Sequence, residues 1–118
     1  MITKEAEKII KKNVDYYTYR VTWSGEDNEF VGLCAEFPSL SWLAHTKEEA
    51  LCGISNLIKE VISDMVSNHE VIPDPIAIKH FSGKFTTRVP PEVHRNLTIQ
   101  AAEANISFNR LVSFKLSK

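Results

Sequence analysis

The sequence predicts an α+β protein: an N-terminal antiparallel sheet with one main helix, followed by a strand and two helices. Three observations lead there. Residues 16–23 alternate in polarity, residues 46–65 carry an apolar stripe at helical spacing, and residues 84–89 alternate again before two short amphipathic runs. The chain has 118 residues, 43% of them apolar and 25% charged, which suits a folded domain or two small ones and argues against wholesale disorder.

The elements follow in order. Lys4 to Lys12 favours helix but has few apolar positions, so 1–13 reads as an arm. In the first strand Tyr17, Tyr19, Val21 and Trp23 share one face, and Tyr16, Thr18, Arg20 and Thr22 the other. Ser24 to Asn28 is turn chemistry, and Phe30 to Ala35 completes a hairpin. Pro38-Ser39 breaks the second strand, and Leu40 to Ala44 reads as a third. Thr46 and Glu49 form a capping box, each side chain satisfying a free amide of the first helical turn. Ala50, Leu51, Ile54, Leu57, Ile58, Val61, Ile62 and Met65 then make a stripe that must pack on the sheet. Asn68-His69-Glu70 ends the helix, Pro73-Asp74-Pro75 is a stiff connector, and Ile76 to Ile78 reads as a short extra strand. The boundaries expected are an arm at 1–13, a first domain at 14–70, a linker at 71–81 and a second domain at 82–118.

In the second domain Lys84, Thr86 and Arg88 share one strand face, and Phe85, Thr87 and Val89 the other. Pro90-Pro91 stops the strand and opens a helix striped by Val93, Leu97, Ala101 and Ala104. Asn105 is a left-handed stop, and Ser107 caps a second helix that buries Phe108, Leu111, Val112 and Leu116. So short a unit buries too little core to stand alone, and its single strand lacks a partner. Pairing with the same strand of a second copy answers both needs. The resulting ribbon would present Lys84, Thr86 and Arg88 twice to the major groove, with the amide end at Ser107, Phe108 and Asn109 on phosphate. The bland alternative for Lys84, Thr86 and Arg88 is a solvated strand face.

The segments Ser82-Gly83-Lys84-Phe85-Thr86-Thr87-Arg88-Val89-Pro90-Pro91-Glu92-Val93-His94 and Asn105-Ile106-Ser107-Phe108-Asn109-Arg110-Leu111-Val112 resemble a ribbon-helix-helix domain, and more narrowly that of HicB-type antitoxins. The hairpin, Ala35-Glu36-Phe37-Pro38 and Lys47-Glu48-Glu49-Ala50-Leu51 are similar to the same family's N-terminal half. Ser41-Trp42-Leu43-Ala44-His45 stands where that family usually has a glycine-rich loop. The resemblance implies a reduced ribonuclease H-like domain that covers a small basic mRNA-cleaving toxin of HicA type. It also implies a DNA-binding dimer that represses its own operon.

Charge agrees with that division. Residues 1–70 hold 7 Lys/Arg and 12 Asp/Glu, whereas residues 71–118 hold 7 and 3. An acidic body suits a basic protein and a basic tail suits DNA. Glu36, Phe37, Leu40 and Trp42 are candidate toxin contacts; for Phe37, Leu40 and Trp42 a place in the core or at the sheet edge fits equally well. A nuclease needs several carboxylates around two metal ions, but the first strand has none, with Asp15, Glu26, Asp27 and Glu29 lying outside it. No catalytic residues, metal or cofactor are therefore expected. The alternatives are a solitary DNA-binding regulator and a residual nuclease. Cys34 and Cys52 read as buried thiols, and the four His are too scattered for a zinc site. No apolar run reaches membrane-spanning length, and the mixed-charge N-terminus lacks a signal core, so a cytoplasmic location is expected.

Overall fold

The computed structural model describes Lys4, Glu5 and residues 13–118. Most of the expected N-terminal arm lies outside the described residues. The chain divides into two compact units, with the break between His80 and Phe81.

The first unit is a three-stranded antiparallel sheet covered on one face by a long helix. Its strands β1 (Tyr19–Ser24), β2 (Glu29–Cys34) and β3 (Ser41–Ala44) lie in sequence order. Residues 13–16 are helical rather than the beginning of β1, and this places Val14 in the core. The β1–β2 turn uses Asn28 at φ 54°, and the Asp27 N–H donates to Ser24 Oγ at 3.3 Å. Asparagine tolerates that left-handed backbone better than most residues.

The helix α1 (Lys47–Ser67) begins where expected. Thr46 Oγ1 accepts from the Glu49 N–H at 3.1 Å, which is one half of the capping box. It ends in a Schellman turn: His69 takes φ 57°, and the His69 and Glu70 amides donate back to Val66 and Met65. Ala50, Ile54, Ile58 and Ile62 form its buried line, whereas Leu51 is exposed, one step around the helix from that line. Val14, Tyr17, Cys34, Phe37, Ile54, Ile58 and Ile62 make one core cluster.

α1 approaches the sheet closely because Gly32 stands opposite it. Residues 72–76 of the expected linker also belong to this unit. Pro75 is fully buried, and the Tyr17 hydroxyl donates to the Pro73 carbonyl at 2.7 Å. Ile76–Ile78 is a 3-10 turn, not a strand: it has no strand partner and folds on itself through the Lys79 N–H to the Ile76 carbonyl.

The second unit contains α2 (Pro91–Ala104) and α3 (Phe108–Leu116). Pro91 occupies the first turn of α2, and Asn105 ends it at φ 56°, with the Ile106 N–H reaching the Ala101 carbonyl at 3.1 Å. Ser107 Oγ accepts from the Arg110 N–H at 3.1 Å and caps α3. Residues 84–89 form no strand within the single chain. A strand is defined by ladder partners, and this unit has no second strand to supply them.

Candidate functional site

The second unit has almost no interior of its own. Ala101 and Leu111 are its buried residues, while Phe85 is 75% exposed and Val89, Val93, Phe114 and Leu116 are also open. An open groove of about 930 Å³ lies between residues 83–87 and α3, with Phe85, Phe108, Val112 and Leu116 in its lining. Lys84, Thr86, Thr87, Asn109, Ser113 and Ser117 line it as well. Lys84, Thr86 and Arg88 are exposed in the same segment. Gly83, at φ 84°, starts this segment, and the Lys84 N–H donates to Ser82 Oγ at 3.1 Å.

Ser107, Phe108 and Asn109 lie at the amino end of α3, as expected. The Phe108 ring is held by His94 of α2, edge to face at 5.4 Å and 65°. That contact ties the end of α3 to α2 and was not legible from spacing, because it crosses the Asn105 turn.

The four candidate toxin contacts separate. Phe37 is buried in the core, packed edge-on against Tyr17 at 5.4 Å, and Leu40 packs against the same cluster. Glu36 is engaged inside the first unit: it accepts from the Thr18 N–H and the Ile76 N–H, each at 2.9 Å, and from Thr18 Oγ1 at 3.2 Å. Trp42 is the exposed member, at 44%, lying against Gly53 of α1.

Burial pushes the Glu36 carboxyl upward, but the amides of Ile76 and Thr18 favour the charged form and the net shift is downward. Stability from a depressed carboxyl is present above its unfolded value and is lost as pH falls through the folded one. Amide exchange at Ile76 is therefore expected to accelerate, relative to intrinsic rates, as pH drops below about 4.3, the ordinary glutamate value. Glu36→Gln should show that acceleration already at neutral pH. Unchanged exchange in both cases would mean that the carboxylate does not fasten this segment.

Cys34 lies beneath Glu36, with its Sγ 3.5 Å from Oε1. Burial pushes this thiol up to about 11, which keeps it protonated and unreactive at neutral pH. Cys52 is exposed, contrary to the expectation of two buried thiols, because it lies on the outer side of α1. Among the described residues, no three His, Cys, Asp or Glu side chains gather as a metal-binding group. No helix there is long and apolar enough to cross a membrane.

Residues 67–116 match the HicB family. Over this stretch, less than half of the chain, the protein is similar to HicB proteins. The match takes in the basic segment, α2 and α3, together with the last residues of the first unit; the three strands and nearly all of α1 lie outside it. No curated protein and no solved structure matches the chain.

Proposed function

We propose that this chain is a non-enzymatic HicB-type antitoxin and repressor. Its first unit occludes a small basic HicA-like ribonuclease, and its second unit pairs with another copy to grip a palindromic operator. The observation that carries the reading is the HicB match over a unit whose apolar face stands open beside a basic strand segment. Antiparallel pairing of residues 84–89 between two copies would fill the groove with Phe85 and Val89 of each and satisfy the backbone. It would leave Lys84, Thr86 and Arg88 as a two-stranded ribbon of the width the major groove accepts. The exposed amide end of α3 suits a phosphate on either side.

Base contact by Arg88 has a direct consequence. Arg88→Ala should weaken operator binding by about 1–3 kcal/mol and relax sequence choice at the contacted position. Toxin neutralisation should be unaffected, because Arg88 lies in the other unit. Gel-shift titration against the chain's own promoter measures the first effect and a growth assay the second. Parent-like operator affinity would remove Arg88 from the base contacts. The solitary-regulator alternative is tested by co-expression with the product of any adjacent small basic reading frame. Metal-dependent cleavage lost on Asp15 or Glu36 substitution would favour the nuclease instead.

A further inference from the structure

β1 is an edge strand. Among the described residues it pairs with β2 alone, so no described strand lies against the other side of its six residues. Edge strands are commonly blunted by proline, by a bulge or by inward-pointing charge. The β1 sequence Tyr-Arg-Val-Thr-Trp-Ser has no proline and no acidic residue, and pairs with β2 without interruption in register. Arg20 lies on the face shared with Thr22, opposite to Tyr19, Val21 and Trp23.

An apolar shelf runs beside this edge. Trp23 is 51% exposed, although it lies on the helix-covered face of the sheet, and rests edge-on against Phe30 at 5.1 Å. α1 contributes Leu51, which is 45% exposed. Gly53 of α1 lies against Trp42 of β3, and Leu51, two residues earlier and so on the other side of the buried line, lies on the side of the helix toward β1. Glu48, three residues before Leu51, lies on this side too. At the end of β1 the turn carries Glu26 and Asp27, with Glu29 opening β2.

We propose that the β1 edge, with Trp23 and Leu51 as its apolar anchors, is where the first unit docks its protein partner, which adds a strand to β1. The proposal rests on the antitoxin reading and gives that partner a surface. Charge selects the occupant. Residues 13–80 hold 11 Asp/Glu and 4 Lys/Arg, so a second copy of this unit would meet like charge and nucleic acid would be repelled. A basic protein meets complementary charge around an apolar centre, the arrangement that favours both fast association and a few dominant anchors. The surface differs from the one expected around Phe37 and Leu40, whose side chains are committed to the core.

The test uses the full chain and, as the toxin, the small basic product of an adjacent reading frame that restricts growth when expressed alone. Leu51→Lys places a cation at an exposed helical position without disturbing the core, and Trp23→Ser removes the other anchor. Leu43→Lys, equally exposed on the opposite sheet face, is the control. We expect Leu51→Lys and Trp23→Ser each to weaken toxin binding by about 30-fold or more, on the scale of an interface anchor, and to lose growth protection. Leu43→Lys should bind as the parent does. Operator binding by all three should match the parent, which reports a folded second unit, and thermal unfolding followed by tryptophan fluorescence or circular dichroism reports the first. Parent-like toxin binding by both edge variants overturns the proposal while leaving the antitoxin reading intact. Failure of the parent itself to bind the toxin overturns that reading and the docking surface with it. Concentration-dependent self-association abolished by Leu51→Lys in the absence of toxin would also overturn it, by assigning the edge to a second copy.

Discussion

Gly32→Ala will destabilise the sheet unit by about 3 kcal/mol, the upper end of what overpacking a core does. A Cβ at this position would stand 2.6 Å from the Ala50 carbonyl oxygen and 2.9 Å from Ile54 Cγ2. The first of these is helix backbone, so relief requires moving α1 away from β2. That movement would loosen Ile54 and Ile58, both fully buried, from the core they share with Cys34 and Phe37. The loss of packing outweighs the few tenths of a kcal/mol that alanine gains by restricting the unfolded chain. Both tryptophans, Trp23 and Trp42, lie in this unit, so urea titration followed by fluorescence reports it alone. Gly25→Ala is the matched control: nothing lies within 4 Å of its added methyl. It should change stability by less than about 0.5 kcal/mol. Equal midpoints for the two variants would mean that α1 does not cross β2 at Gly32.

Phe85→Asp should abolish operator binding, with a loss of about 100-fold or more, as for the removal of a central interface anchor. In a single chain Phe85 is 75% exposed, and an aspartate there would be a surface change of little consequence. In the proposed ribbon the same side chain lies between two copies of the α2–α3 pair. Burying an unpaired carboxylate there is far more costly than leaving it in water. The two accounts therefore diverge on one substitution. Gel shift gives the affinity, and circular dichroism shows whether the helices persist. Parent-like binding would place Phe85 outside any subunit contact.

Much of this architecture was legible because local rules and packing agree. The 3.6-residue stripe fixed α1, and Thr46, Pro91, Asn105 and Ser107 set helix ends through backbone chemistry that needs no distant partner. Legibility failed where long-range contacts decide. Tyr17 to Pro73 and Glu36 to Ile76 join residues 56 and 40 positions apart, so a proline-rich segment that reads as a linker is fastened to the sheet unit through residue 76. Trp23 shares a face with Tyr19 and Val21, as alternation indicates, but its exposure was not legible, because it lies at the end of β1 next to the turn, where cover depends on the helix position and not on alternation. Leu51 was assigned to the apolar stripe by spacing alone, whereas the buried line follows Ala50, Ile54, Ile58 and Ile62. In the second unit Lys84, Thr86 and Arg88 could be singled out early. Their strand is absent from a single chain because backbone pairing, unlike helix formation, needs another segment.

The decisive measurement is the mass of the full chain in solution by sedimentation velocity, across a concentration series, for the parent and Phe85→Asp. The two-copy account predicts a parent of twice the chain mass at micromolar concentration and a Phe85→Asp variant of single mass. A parent that sediments as a single chain throughout, with its C-terminal helices intact, would contradict it.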